Sequence, residues 1–199
     1  MNSIIKKKRV YTQQLPSGKY WSNRLSRLTR KRQQKINDYY HKVSNYLVNI
    51  LLDLNIDTLV IGKNKNWKHK VNLGKINNQN FTNISHNNLI EKISYKCKFK
   101  GIKVVEREES YTSRASFLDL DEIPIYGEEI EGAEIKFSGV RLKRGLYRSK
   151  SEKIINADVN ASYNILRKAF PKAFAEGIER CVVHPRLVTP TKQKTKGST

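Results

Sequence analysis

The sequence predicts an α/β fold, and three observations lead to this class. Two short runs rich in β-branched residues, 57–62 and 102–107, have the pattern of strands covered on both faces. A helical pattern lies between them, and roughly 40 residues separate the strands, as in a βαβ unit with a right-handed crossover. Long helical patterns also precede the first strand and follow the second. A chain of 199 residues accommodates these elements in one domain with an appendage.

The elements before the first strand are an arm and a long helix. The first 18 residues are basic and end in a Pro-Ser-Gly turn signal, so we expect residues 1–20 to be a basic arm rather than a complete element. From Trp21 to Leu54 apolar residues recur at spacings of three and four without glycine or proline, which predicts one amphipathic helix. Its first half is basic and its second half apolar, so one end is expected to meet phosphate and the other to enter a core.

The remaining elements follow from capping and breaking residues. Ser85 is expected to cap a helix that runs to about Lys100 and ends at Gly101. Weak turn signals over 119–145 predict a hairpin or an irregular insertion. A final helix from about Ala157 is broken by Pro171. We expect 173–199 to be a basic tail, with the Lys, Thr, Pro and Gly residues after 186 disordered.

The charge balance indicates a polyanionic partner. Thirty-nine Lys and Arg against 18 Asp and Glu give a net charge of +21, far beyond what solubility requires. Seven of the acidic residues lie within 119–134, where there is no Lys or Arg, so the rest of the chain is more basic still. This acidic cluster has three interpretations: a solvated surface, a mimic of nucleic-acid charge, or a weak cation site.

Segments that would direct the chain to a membrane or an oxidising compartment are not found. No apolar stretch is long enough to span a bilayer, and the basic start is not followed by an apolar segment with a cleavage site, so we expect no membrane partner. Cys97 and Cys181 are too few and too far apart for a disulfide framework or a zinc site of the CxxC type. We therefore expect a cytoplasmic protein.

Basic and hydroxyl side chains at the strand ends suit contacts with nucleic acid. After the first strand a loop interleaves cations with an aromatic ring, a combination that binds phosphate and stacks on bases, although a solvated charged face is the alternative. The residues predicted to bind nucleic acid in this loop are Lys63, Lys65, Trp67 and Lys68. Those predicted after the second strand are Tyr111, Thr112, Ser113 and Arg114. Those predicted on the long helix are Arg24 and Arg27.

Two motifs resemble a known family. The segment 108–113 reads EESYTS after the second strand, and 156–166 reads NADVNASYNIL at the start of the final helix. In this order and at this distance, behind a long basic helix and a βαβ unit, they resemble the C-terminal half of the TnpB/OrfB transposon proteins. That family is similar to the type V CRISPR effectors, and the resemblance covers 21–172.

The resemblance implies an RNA-guided DNA endonuclease with a RuvC-like domain of the RNase H-like class. Its partners would be DNA and a guide RNA, and its chemistry would need Mg²⁺ or Mn²⁺ held by several carboxylates. Asp158 matches the family's helix-borne carboxylate; the alternative is that it only stabilises the helix N-terminus through the macrodipole. The family's first carboxylate lies on a strand before the long helix, so we expect a truncated domain that needs an upstream polypeptide with the missing strands.

The resemblance also leaves the second carboxylate without a counterpart. The family has a glutamate at the end of the strand that here reads TLVIGK, where Gly62 stands. A glutamate on the adjacent strand could replace it, and we take Glu109 rather than Glu108 as the candidate metal ligand. The alternative is that both are solvated or pair with Arg107 or Arg114.

The final helix and the insertion carry two further expectations. Asn160 and Asn164 either line the same site, with Asn160 then contacting nucleic acid, or hold the loop at the helix start. Family members carry a zinc ribbon between the two motifs, but residues 114–157 contain no Cys and no His. We therefore expect no zinc and an insertion at 115–150 that folds on packing alone.

Together these features predict a transposon-encoded nucleic-acid-binding protein of the RNA-guided endonuclease type, acting in DNA transposition. The alternative is a nuclease-dead module that binds RNA or DNA, for example as a repressor.

Overall fold

The computed structural model describes residues 2–16, 21–63, 86–127, 135–178 and 181–190. Helix α1 spans Asn2–Gln13, so the prediction that the first 18 residues form no complete element is wrong. Ile4 is buried, and the ring of Tyr11 lies 3.7 Å from the guanidinium of Arg24 on the next helix. The basic segment becomes helical because it packs against this neighbour.

Helix α2 spans Asn23–Asp53 and confirms the predicted long helix. Ser22 caps its N-terminus by accepting a hydrogen bond from the Leu25 N–H at 3.3 Å. The apolar spacing read from the sequence becomes its buried face, which contains Leu25, Ile36, Tyr40, Val48 and Leu51.

The predicted strand, helix and strand are confirmed. Strand β1 spans Thr58–Gly62, helix α3 spans His86–Phe99 and strand β2 spans Lys103–Arg107. The strands pair in parallel, from Thr58 opposite Lys103 to Gly62 opposite Arg107, so their carboxyl ends lie side by side. Gly101 ends the helix with a φ of +76°, as its sequence position predicts. The expected cap, Ser85, lies outside the described residues.

An aliphatic core holds this part together. Val48 and Leu51 of α2, Ile93 and Cys97 of α3 and Ile102 before β2 form one buried cluster. Burial raises the pKa of the Cys97 thiol and so disfavours its reactive thiolate form.

The predicted insertion contains a small antiparallel sheet. Strands β3 (Val140–Lys143), β4 (Leu146–Arg148) and β5 (Ile154–Asn156) pair in the order β3-β4-β5. The expected hairpin is β3–β4, which turns at Gly145 with a φ of +81°. The acidic residues Glu128, Glu129, Glu131 and Glu134 lie outside the described residues.

Helix α4 spans Ala157–Ala169 and confirms the predicted final helix. Asn156 caps it by accepting hydrogen bonds from the N–H groups of Asp158 and Val159.

The residues after α4 are packed in part. The ring of Phe174 meets Phe117 edge-on with centroids 5.0 Å apart, and the Val183 carbonyl accepts a hydrogen bond from the Asn156 N–H. Part of the segment predicted as a basic tail therefore packs on the domain, through an aromatic side chain at 174 and backbone pairing at 183. Residues 191–199 lie outside the described part. No helix in the described ranges is both long and apolar enough to span a bilayer.

Candidate active site at the carboxyl ends of the parallel strands

The carboxylate of Glu109 lies over the end of β1. A Cβ atom built on Gly62 would stand 2.7 Å from Glu109 Oε2 and 2.7 Å from Ile165 Cδ1 of α4. The missing side chain at 62 thus leaves a space that the Glu109 side chain fills from the neighbouring strand. The structure brings Glu109 to the position that the sequence analysis named as lacking an acidic residue.

The surroundings of Glu109 favour its neutral form. Burial raises the pKa of this carboxyl, and the adjacent Glu108 raises it further, while His86 opposes the shift. A half-buried carboxyl with a shifted pKa beside a second carboxylate is a common feature of functional sites, so Glu109 stays the candidate in this pair.

Glu108 forms an ion pair and a hydrogen bond within the fold. Its carboxylate accepts a hydrogen bond from Lys168 Nζ at 2.6 Å and another from the Ser110 N–H at 2.6 Å. These hydrogen bonds outweigh the opposing effect of burial and lower the pKa of Glu108. Of the two neighbouring glutamates, Glu109 is therefore the one whose carboxylate is directed to the strand end.

Asp158 lies on the same helix as Ile165, in its first turn. Its side chain is exposed, and its N–H donates to the capping Asn156. Asp158 and Ile165 are seven residues apart, so they lie on one face of α4 at about 10 Å along the axis. Asp158 therefore lies two helical turns before Ile165, the residue of α4 whose side chain reaches Gly62 beside Glu109. Among the described residues no group of three or more His, Cys, Asp or Glu is arranged to hold a metal ion.

Asn160 and Asn164 are fully buried on α4 and hold the loop 112–117. Asn160 accepts from the Phe117 N–H at 2.9 Å and donates to the Ala115 carbonyl at 2.8 Å. Asn164 donates to the carbonyls of Thr112 and Ala115. Of the two roles considered for these residues, holding the loop is the one that the structure provides, and the predicted contact of Asn160 with nucleic acid is corrected because both ends of its amide are occupied inside the fold.

The predicted YTS residues divide between interior and surface. Thr112 is buried and its hydroxyl donates to the Glu109 carbonyl at 2.7 Å, so the predicted contact of Thr112 with nucleic acid is corrected in the same way. Ser113 and Arg114 are exposed. Tyr111 has a φ of +64° and its ring lies 6.4 Å from that of Phe137, over which the Arg114 guanidinium also lies.

The other predicted cations are only partly described. Lys63 follows β1 and forms an exposed ion pair of 2.7 Å with Glu106. Arg24 and Arg27 are exposed near the start of α2, and Arg24 donates a hydrogen bond to the hydroxyl of Tyr11. Lys65, Trp67 and Lys68 lie outside the described residues.

Sequence reasoning missed a group that we call the Asp clasp, formed by Ser116, Asp119 and Asp121. Asp121 Oδ2 accepts from the N–H groups of Ser116 and Ser138, at 2.7 and 3.0 Å. Asp119 Oδ2 accepts from Ser116 Oγ at 2.6 Å and from the Lys150 N–H at 2.8 Å. Two carboxylates thereby tie the loop after β2 to the end of the antiparallel sheet where β3 begins and β4 ends.

The Asp clasp changes the interpretation of the acidic cluster. Burial and the nearby Asp121 and Asp119 raise the pKa of Tyr147 to about 12, and its hydroxyl donates to the Arg114 carbonyl at 2.7 Å. Asp119 and Asp121 therefore stabilise the fold and are not part of a solvated surface. The sequence signal for them is their position, because Asp near a Ser often accepts from backbone N–H groups in tight turns.

Comparisons with known proteins find two similar families and a solved structure of similar fold. The OrfB_IS605 family, described as "Probable transposase", matches residues 3–68, and the family described as "Cas12f1-like, TNB domain" matches residues 86–165. No curated protein matches the sequence. A solved structure titled "Cryo-EM structure of the Cas12f1-sgRNA-target DNA complex" is similar in fold, with a TM-score of 0.55 and 16% identity. The match covers 82% of this chain and 40% of that chain, so this chain spans less than half the length of that relative.

Proposed function

We propose that this chain, which is similar to the TnpB/OrfB type of transposon protein, binds nucleic acid within an RNA-guided DNA-cleaving system. The observation that carries this proposal is the position of Glu109, whose carboxylate fills the space over Gly62 beside the helix that bears Asp158. We interpret 21–172 as part of an RNase H-like domain, in which carboxylates meet at the ends of neighbouring strands and a helix.

The proposed partners are DNA and a guide RNA. A net charge of +21 favours binding to phosphate backbones, and the similar Cas12f1 structure is a complex with sgRNA and target DNA. Exposed cations near the strand ends and on α2, including Arg114 and Arg27, would contact the backbone.

Metal-dependent cleavage would use Asp158 and Glu109 toward Mg²⁺ or Mn²⁺. Oxygen ligands of this type suit these cations, and a bound cation would polarise the scissile phosphate. The described residues supply two candidate ligands at this edge but no group of three, so we derive no cleavage step from them alone. A further carboxylate would have to come from another polypeptide that contributes the strands of the first motif.

The second candidate function is binding without cleavage. The observation in its favour is that Asp158 is exposed two helical turns before Ile165, whose side chain lies beside Gly62, whereas two-metal hydrolysis needs several carboxylates around one pair of cations. A binder would use the same cations on its surface and need neither carboxylate.

A cleavage assay separates the two candidates. Labelled single- and double-stranded DNA would be incubated with Mg²⁺ or Mn²⁺ and the protein with its copurified RNA, for the wild type, Asp158→Ala, Glu109→Ala and the control Glu91→Ala on the exposed face of α3. Cleavage that both site variants abolish and the control keeps supports the nuclease. Salt-sensitive binding without cleavage in all four proteins supports the binder, and cleavage that survives both site variants excludes these carboxylates from the reaction.

A further inference from the structure

A groove lies beside the ion pair of Glu108 and Lys168, outside the space over Gly62. Its volume is about 360 Å³, within the range of small-ligand sites. One wall is apolar and consists of Ile123, Ile125 and Pro171. About half of the Ile125 surface is exposed, at 51%, so this wall is open to a ligand.

Three cations line the same groove: Arg107, Arg167 and Lys168. Lys168 uses two of its three donors on Glu108 and on the Ser110 carbonyl, at 2.6 and 2.9 Å. Arg107 is the last residue of β2, and its exposed side chain has no hydrogen bond or ion pair within the described ranges. An anion that entered the groove could therefore accept hydrogen bonds from Arg107 and from the third N–H of Lys168.

Two of the three cations in the groove, Arg167 and Lys168, are held in place. The Arg167 guanidinium donates to Asn164 Oδ1 at 3.2 Å and to the Leu120 carbonyl at 3.1 Å. Lys168 also bridges the end of α4 to the segment after β2. Such preorganisation reduces the entropy lost when a ligand binds.

Two carboxylates also line the groove and limit where an anion can sit. Glu108 is already compensated by Lys168, while Glu122 stands exposed on the rim. A phosphate would therefore lie toward Arg107, away from Glu122. The apolar wall would then face the attached base.

We propose that this groove holds one nucleotide of a single strand, with its base against Ile125 and its phosphate toward Arg107. A base inside a duplex is stacked on both faces, so only an unpaired base can use the apolar wall. The inference rests on the proposed function, because it assigns a subsite to the strand that the candidate active site would receive.

Fluorescence anisotropy with a fluorescein-labelled decathymidylate tests the groove, in EDTA so that no cleavage occurs. The variants are Ile125→Glu, which adds a negative charge beside the apolar wall, and Arg107→Gln, which removes the cation. The control is Val140→Glu on β3, where an exposed apolar residue of matched exposure, 49%, lies outside the groove. Thermal unfolding of all four proteins checks that the variants fold.

We expect Ile125→Glu to weaken binding about tenfold and Arg107→Gln about threefold, with Val140→Glu within about twofold of the wild type. Equal affinities of Ile125→Glu and Val140→Glu would overturn the proposal that the groove holds a nucleotide. The proposal that the protein binds nucleic acid would still stand. A wild type that does not bind the oligonucleotide, a duplex or RNA would overturn the proposed function itself. A 4-thiothymidine photocrosslink gives a second measurement, since an adduct outside the lining segments 107–108, 122–125 and 167–171 would also overturn the assignment of a nucleotide to the groove.

Discussion

The part of the molecule before residue 108 and the part after it are held together by different interactions. In the first part, α2, α3 and the parallel strands share a core of aliphatic side chains such as Val48, Leu51 and Ile93. In the second part, the buried side chains include two asparagines that hydrogen-bond the backbone, and the aromatic rings stack. Aliphatic packing tolerates small shifts, whereas amide and carboxylate contacts fix a loop at one position. The contacts that fix the backbone at one position therefore lie next to the candidate active site.

Removing the aromatic contact should have the largest effect on the second part. Phe117 is fully buried, stacks on Tyr163 with centroids 4.3 Å apart and meets Phe174 edge-on. We expect Phe117→Ala to lower the free energy of unfolding by about 4 kcal/mol. Urea denaturation measures it, with Phe99→Ala, 83% exposed, as the control that should change little. Similar losses for both would show that the aromatic contacts do not stabilise this part.

Removing an amide should have the next largest effect. Asn160→Leu keeps the side-chain volume but leaves the Phe117 N–H and the Ala115 carbonyl buried without their partner. We expect a loss of about 3 kcal/mol, since each unpaired buried group costs about 1–3 kcal/mol. Ser162→Ala, on the exposed side of the same helix, is the control in the same urea titration. A loss no greater than that of Ser162→Ala would contradict the role of the buried amide in this part.

The Asp clasp should have a smaller effect. Asp121→Ala removes the acceptor of the Ser116 and Ser138 N–H groups, and we expect a loss of about 2 kcal/mol. The neighbouring Glu122→Ala, exposed at the surface, serves as the control in thermal unfolding.

We also expect a zinc chelator to leave the unfolding midpoint of the wild type unchanged, because carboxylates hold this segment. A midpoint that falls with the chelator would contradict a metal-free insertion.

The smallest effect should be a pH dependence at Glu109. Its pKa is raised in the folded protein, mainly by burial, so folding favours the protonated form. Relative to Glu109→Gln, the wild type should therefore lose stability as pH rises from the ordinary pKa of a glutamate through the raised value. Urea titrations of both proteins at pH 4 and pH 8 measure the change in their difference. A difference that stays constant between the two pH values would contradict the raised pKa of Glu109.

The first part of the fold followed from the sequence because its signals are periodic. Spacings of three and four gave α2, and β-branched runs gave β1 and β2, since one buried aliphatic face is enough to determine these elements. The insertion did not follow, because β4 and β5 have only three residues each and depend on distant partners such as Asp121. The helix α1 was missed for a related reason: its helical form depends on packing against α2.

The candidate site was predicted in part. The motif and the order of elements led to Asp158 and to the choice of Glu109 over Glu108, and the structure directs Glu109 to the strand end. The buried positions of Thr112 and Asn160 were not predictable from residue type, because a polar side chain serves a loop or a ligand equally well until its partners are known. Whether Asp158 and Glu109 hold a metal remains a prediction for the cleavage assay.

Because Gly62 has no side chain, an acidic group at the end of β1 can be supplied either by residue 62 or by residue 109. A side chain at 62 would take the space of Glu109 Oε2 and Ile165 Cδ1, so the two positions compete for one volume. Gly62→Glu alone would displace Glu109, whereas Gly62→Glu combined with Glu109→Gly would transfer the carboxylate from one strand to the next. Among related chains, glycine at one of these positions should therefore occur with glutamate at the other, and such exchanges should appear as paired changes.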